Sequence, residues 1–144
     1  MLSKAIRVVV LVGLTTSFPP TAMGAERATT VRPPKNATAA ARGYLRALKS
    51  EKGSNICPLV TEATKRAFID QARTDGLKVS RCEPAADHDF HKIGRVLGSF
   101  HIIRVVVHRR VAYATVNDAP ISDSGNDTFL LRKTRAGRWL VDDS

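Results

Sequence analysis

The sequence predicts an α+β domain in which N-terminal helices pack on a curved, four-stranded antiparallel sheet. Between residues 36 and 98, apolar residues recur at the spacing of amphipathic helices. After Gly98 the pattern changes to short runs of β-branched residues separated by turn residues. An order of helices followed by strands is typical of α+β domains whose helices cover one face of the sheet.

The first 25 residues predict a cleavable signal peptide. Lys4 and Arg7 precede an apolar run over residues 8–14, and small residues then offer cleavage after Gly24 or after Ala25. The alternative, an N-terminal core strand, does not explain the two early cations or the small residues. No later stretch reaches the roughly 20 apolar residues that a membrane-spanning helix needs. We therefore expect a secreted protein, located outside the cell or in the periplasm or cell-wall space.

The rest of the chain divides into a tether and one domain. Residues 26–35 contain Pro33-Pro34 and almost no apolar side chain, which predicts a flexible or extended tether. Residues 36–144 then form a single domain, since about 120 residues after cleavage suffice for one core and not for two.

Three helices are expected in this domain. The first begins at Asn36 or Thr38 as N-cap and stops at Gly53; its apolar face comprises Ala41, Tyr44, Leu45 and Leu48. The second begins at Pro58, ends at Asp75-Gly76 and carries the stripe Val60, Ala63, Ala67 and Phe68. The third opens at Cys82 with Pro84 in its first turn, and its apolar positions are Phe90, Ile93 and Leu97.

Two hairpins are expected to form the sheet. Residues 100–107 and 111–116 flank the polar tip 108–110, and residues 128–133 and 138–141 flank the turn 134–137. Residues 118–127, which contain Pro120 and Gly125, are expected to be a loop between the hairpins.

The two cysteines predict one disulfide. In an exported chain, Cys57 and Cys82 are most simply explained as a bridge that ties the starts of the second and third helices. A metal-binding pair or a reactive thiol is the alternative interpretation.

The order of elements and three segments resemble the secreted branch of the NTF2-like, or cystatin-like, cone fold. These segments are the opening helix at residues 39–48, the central hairpin at 103–116, and the closing hairpin at 129–143 with Trp139. The resemblance implies a cavity between helices and sheet, for which the possible lining residues are Tyr44, Phe68, Phe90, Tyr113 and Trp139. Members of the fold include isomerases, cyclases, hydrolases and binding domains, so the fold does not select a function. The family's catalytic residues have no matching positions in this sequence.

Few residues suggest catalysis or metal binding. An isomerase-type site would need a carboxylate such as Asp118 or Asp127 opposite Tyr113. His88 and His91 are three residues apart on a predicted helix and are weak candidates for metal ligands, with His101 as a possible third. No phosphate-binding glycine loop, nucleophile elbow or Cys-x-x-Cys motif is present, and we predict no cofactor.

The chain is strongly basic, with a net charge of +10. Such a charge favours contact with anionic surfaces, although solvated surface charge is the simpler interpretation. The residues expected to form a basic surface are Arg109, Arg110, Arg132, Lys133 and Arg138. The leading functional hypothesis is a non-catalytic exported domain that binds a small ligand or a protein partner. The alternatives are a small cavity enzyme of isomerase or cyclase type and a basic-surface binder of an anionic polymer.

Overall fold

The computed structural model describes residues 31–91, 99–117 and 126–142. In these ranges the helices are α1 (Ala37–Lys49), α2 (Gly53–Ile56), α3 (Glu62–Thr74) and α4 (Cys82–Phe90), with a 3-10 turn at Cys57–Leu59. The strands are β1 (His101–His108), β2 (Val111–Asn117), β3 (Asn126–Lys133) and β4 (Trp139–Val141). The predicted signal peptide, the tether up to residue 30, and Asp118 lie outside the described residues.

The α+β class is confirmed, with one antiparallel sheet in the order β1-β2-β3-β4. Both predicted hairpins are present, and the register of the first shifts between Ile102 and Arg104. The loop predicted at residues 118–127 is too long at its C-terminal end, because Asn126 and Asp127 already pair with β2 as the first residues of β3. Asp127 pairs with Val116, so strand pairing overrides the turn-like composition of this segment.

Helix α1 forms as the apolar spacing predicts. The Asn36 side chain accepts a hydrogen bond from the Ala39 amide at 3.0 Å and so caps the first turn. The predicted stop at Gly53 is wrong: α1 ends at Lys49, Glu51 takes a left-handed φ of 53°, and Gly53 begins α2. The glycine is needed for a close approach to α4 and not for a helix end.

Helix α3 begins later than predicted. Pro58 lies in the 3-10 turn, and Thr61 caps α3, which starts at Glu62. Val60 is extended and forms a parallel bridge with Val141, and the Thr61 amide donates to the Val141 carbonyl at 2.8 Å. These bonds to β4 hold residues 60–61 out of the helix. The predicted stripe is also corrected, since Ala63 is exposed and the buried positions of α3 are Thr64, Phe68 and Ala72.

Helix α4 starts at Cys82 as predicted, and the disulfide between Cys57 and Cys82 is confirmed with a Cα–Cα distance of 6.0 Å. The bridge joins the end of α2 to the start of α4, not the start of the second long helix. Ile93 and Leu97 lie outside the described residues.

The helices do not form the expected single layer of three. Helix α1 contacts β1, β2 and β4, whereas α3 packs on α4 and α4 packs on α2. The buried strand residues of the core include Ala112, Ala114 and Val116 of β2, Leu131 of β3, and Val141 of β4. Two of the three on β2 are alanines. Small residues on β2 allow α1 to lie close to the sheet.

The described part of the tether, residues 31–35, contains no helix or strand and is held in place by hydrogen bonds. The Pro34 carbonyl accepts a hydrogen bond from the Trp139 amide at 2.9 Å, and the Pro33 carbonyl accepts one from Arg138 Nη1 at 3.1 Å. Val31 packs against the core. This segment is therefore anchored beside the start of β4.

Candidate functional site

Two turns of the sheet lie at the same end of the molecule. In an antiparallel meander the connections alternate between ends, so the β1–β2 turn at Arg109-Arg110 and the β3–β4 turn at residues 134–138 are neighbours. We call these turns and the strand residues that flank them the hairpin end. Arg109 has a φ of 56° and Gly137 a φ of 76°, left-handed conformations that allow each chain reversal.

Arg110 and Lys133 join the two turns directly. The Arg110 guanidinium donates through Nε and Nη2 to the Lys133 carbonyl at 3.3 and 3.1 Å, and the Lys133 amide donates to the Arg110 carbonyl at 2.8 Å. Lys133 Nζ lies 5.9 Å from the centroid of the Trp139 ring, within range of a cation–π interaction. The fold therefore holds the Arg110 guanidinium and the Lys133 backbone in position, and places the Lys133 ammonium beside Trp139.

Arg138 and Arg132 complete the predicted basic surface in different ways. Arg138 lies beside the anchored tether through its bond to Pro33. Arg132 forms a hydrogen-bonded ion pair with the buried carboxylate of Asp142, and this pairing raises the pKa of the guanidinium. Asp142 also accepts from the Thr61 hydroxyl at 2.8 Å. Arg132 is thus the member of the set whose charge is compensated by a neighbouring acid.

Two further residues of the hairpin end were not selected from the sequence. His108 is the last residue of β1, and Arg135 lies in the β3–β4 turn; both are exposed. The sequence could have identified both residues, because they lie at predicted turns and an antiparallel meander brings these turns to one end of the sheet. The hairpin end therefore presents more basic groups than the five expected.

Acidic residues are concentrated elsewhere. Among the described residues, the sheet and residues 31–36 contain two carboxylates, Asp127 at the opposite end of β3 and Asp142 paired with Arg132. The acidic residues of the α3–α4 region are Glu62, Asp70, Asp75, Glu83, Asp87 and Asp89. The described part of the molecule is therefore electrically asymmetric. The hairpin end carries an excess of cations, whereas the acids of the α3–α4 region are nearly balanced by its five cations, which are Lys65, Arg66, Arg73, Lys78 and Arg81.

The aromatic residues expected at a cavity are mostly core residues. Tyr44 and Trp139 are buried, and the Phe68 and Phe90 rings pack edge to face at a centroid distance of 5.4 Å. Tyr113 contradicts the expectation of a core or cavity position, because 47% of it is exposed. Its neighbours on β2 are buried alanines, so alternation along the strand places Tyr113 on the outer face of the sheet.

The arrangement required by the enzyme hypothesis does not form with Asp127. Asp127 pairs with Val116, three residues from Tyr113 on β2, so the two side chains lie on opposite faces of the sheet. Asp127 is exposed and its carboxylate accepts from the Thr128 amide at 2.7 Å. A carboxylate base opposite the Tyr113 hydroxyl is therefore not built from this pair.

His88 and His91 do not share a helical face, because α4 ends at Phe90 and His91 has an extended ψ of 128°. His88 instead lies beside two carboxylates, with its Nε2 3.2 Å from Asp75 Oδ2 and ligand atoms of Asp75, His88 and Asp89 all within 4.8 Å. Burial raises the pKa of Asp89, His88 lowers it and Asp75 raises it further. We interpret this largely exposed group as a polar contact that links the end of α3 to α4.

In the three described ranges, no helix combines the length and the apolar character that crossing a bilayer requires. The positions of the charged residues are thus the main functional signal of the described structure. No family model, curated protein or solved structure matches this chain.

Proposed function

We propose that this chain is an exported, non-catalytic binding domain of NTF2-like type whose hairpin end binds a linear anionic polymer. The observation that carries the proposal is the convergence of cations from two separate turns, where the Arg110 guanidinium is fixed by hydrogen bonds to the Lys133 carbonyl. Fixed cations lose less conformational freedom on binding than mobile ones do. A repeating polyanion can contact both turns at once.

The asymmetry of charge supports a directed contact. Carboxylates near a basic surface compete with an anionic ligand, and here most of the described carboxylates belong to α3, α4 and their flanks. In the α3–α4 region acids and cations nearly cancel, so it would attract the polymer less than the hairpin end does, and a polyanion would approach the hairpin end preferentially.

The disulfide and the signal-like N-terminus support export. The bridge between Cys57 and Cys82 is the kind of bond that persists in oxidising compartments. Mass spectrometry of protein recovered outside the cytoplasm tests this part: we expect an N-terminus at Ala25 or Glu26 and two oxidised sulfurs. An intact Met1 or two reduced thiols would contradict it.

Heparin affinity chromatography tests the binding surface. A hairpin-end variant, Arg109→Asn with Arg135→Gln, removes two exposed charges, and asparagine tolerates the left-handed φ at position 109. The matched control, Arg66→Gln with Lys78→Gln, removes two exposed charges from the α3–α4 region. Both variants have the same net charge, so non-specific attraction changes equally.

We expect the hairpin-end variant to elute at clearly lower salt than the control, because it loses contacts and not only net charge. Elution of both variants at the same salt concentration would show that retention follows net charge alone, and the proposed surface would be wrong. Unchanged circular dichroism spectra of both variants establish that the comparison concerns binding.

A further inference from the structure

A second basic feature lies at the other end of the sheet, in a cavity of about 330 Å³ between α1 and the start of β1. Its basic side chains are Arg42, Arg46 and Lys49 of α1 and His101 of β1. Its apolar side is formed by Leu45, Phe100 and Ile102. A volume of this order accommodates a small organic molecule.

The charges of α1 are not explained by the helix itself. Arg42, Arg46 and Lys49 recur at i, i+4 and i+7, and α1 contains no carboxylate to pair with them. Like charges four residues apart destabilise a helix slightly, although cations in the last turn interact favourably with the helix dipole. The dipole accounts for Lys49 and Arg46, whereas Arg42 lies too far from the C-terminus to benefit. An anion bound between the cations of α1 would attract each of them and so offset their mutual repulsion.

The rear of the cavity is built by contacts between α1 and the chain entering β1. Lys49 Nζ donates to the Phe100 carbonyl at 3.0 Å, a bond between residues 51 positions apart. His101 Nδ1 lies 3.3 Å from the Ser99 carbonyl. A carbonyl only accepts, so this contact is a hydrogen bond when Nδ1 carries a hydrogen.

The apolar side is part of the core surface. Leu45 and Phe100 are buried, and Ile102 is half-buried and packs against the core. Leu45 and Phe100 are already covered by the core, so Ile102 is the apolar side chain of this wall with the most surface left for a hydrocarbon or aromatic group. The two sides together favour a ligand with both an anionic and an apolar part.

We propose that the α1–β1 cavity binds a small amphipathic oxyanion, with its head group between Arg42 and Arg46 and its apolar body against Ile102. Guanidinium groups bind sulfate, phosphate and carboxylate oxygens through paired hydrogen bonds. This site is separate from the hairpin end, because His101 and His108 are the two ends of β1, about 23 Å apart at the usual strand rise. The inference therefore goes beyond the proposed polymer binding and does not depend on it.

Isothermal titration calorimetry with phenyl sulfate, an oxyanion on an aromatic ring, tests the proposal on the oxidised exported chain. We expect saturable binding, with at least tenfold weaker affinity for inorganic sulfate, which lacks the ring, and for phenol, which lacks the charge. Equal affinity for sulfate and phenyl sulfate would refute the role of the apolar side, and absence of phenyl sulfate binding would refute the site.

Variants then locate the binding. Arg42→Gln with Arg46→Gln keeps good helix-forming residues and should raise the dissociation constant for phenyl sulfate at least tenfold. Arg66→Gln with Lys78→Gln, the matched loss of two charges, should change it less than twofold. Similar losses in both variants would show that the ion senses only net charge and would overturn the proposal.

A measurement on the unaltered protein keeps the test independent of variant folding. In a nuclear magnetic resonance titration with phenyl sulfate, the amide signals of Phe100, His101 and Ile102 should shift most. Shifts confined to Arg109 and Arg110 would refute this cavity while supporting the hairpin end. Loss of heparin retention in the hairpin-end variant, conversely, says nothing about phenyl sulfate, so failure of either proposal is recognised separately.

Discussion

Two glycine-to-alanine substitutions should change stability in opposite directions. Gly53 begins α2, where a Cβ would lie 2.1 Å from the Glu83 carbonyl oxygen and 2.8 Å from two further backbone atoms of Glu83. Gly43 lies within α1, and a Cβ there would meet no atom within 4 Å. The same chemical change therefore meets backbone at one position and open space at the other.

The magnitude at Gly53 follows from how far the backbone must move. Cβ atoms essentially never approach other heavy atoms closer than 3.0 Å, so α2 and α4 must separate by about 1 Å. Cys57, four residues along, is bonded to Cys82, the neighbour of Glu83, and the Gly53 amide donates to Asp87 at 2.6 Å. These restraints oppose the movement, so we expect Gly53→Ala to lower the free energy of unfolding by about 3 kcal/mol.

Gly43→Ala should instead raise the free energy of unfolding by about 0.5–1 kcal/mol, because alanine restricts the unfolded chain and favours a helix interior. Guanidinium denaturation followed by the fluorescence of Trp139, the single and buried tryptophan, measures both values. The cost at Gly53 should shrink in a Cys57→Ala, Cys82→Ala background, where α2 is released from α4. A Gly53→Ala variant as stable as the original protein would refute the close approach of α2 to α4.

Three further changes test other contacts. Replacing Cys57 and Cys82 by alanine removes a crosslink spanning 25 residues, which predicts a loss of about 3.5 kcal/mol in denaturation experiments; a loss below about 1 kcal/mol would contradict the entropic estimate. Thr61→Ala removes both the α3 cap and the hydroxyl donor to Asp142, so unfolding should become easier by about 1–2 kcal/mol, whereas Thr61→Ser should be nearly neutral. The pKa of Asp89 is raised above 3.8 in the folded protein, so between the unfolded and folded pKa values the native state binds more protons than the unfolded state. The free energy of unfolding therefore falls as the pH rises between these two values. Asp89→Asn should therefore be more stable than the original protein at pH 7, with a difference that vanishes in titrations below about pH 3.8; equal stability at pH 7 would contradict this.

Local signals in the sequence were sufficient for much of the fold. The apolar spacing at Tyr44, Leu45 and Leu48 and the cap at Asn36 are local, and α1 forms accordingly. The start of α3 was not predictable in the same way. Val60 fits the apolar spacing of the predicted helix, but its bridge to Val141, about 80 positions away, holds it extended. Contacts of that range leave no local pattern.

The same distinction applies to the candidate sites. The basic residues of the turns were visible in the sequence, but the compensation of Arg132 by Asp142 depends on how β4 ends against β3. Tyr113 was expected to line a cavity on the strength of the resemblance, yet the alanines on either side of it occupy the inner face of β2. The alternation of inward and outward positions along β2 determines where Tyr113 lies, and its residue type does not.

The location of the basic hairpin end follows from topology as much as from composition. A meander returns every second connection to the same end of the sheet, so Arg109-Arg110 and Arg135 become neighbours although about 25 residues separate them in the chain. The alternation of strand direction puts both turns at the same end, and the order β1-β2-β3-β4 places them side by side. The charge asymmetry of the sheet is therefore a property of its topology, and exchanging the sequences of the β1–β2 turn and the start of β3 would disperse it without altering net charge.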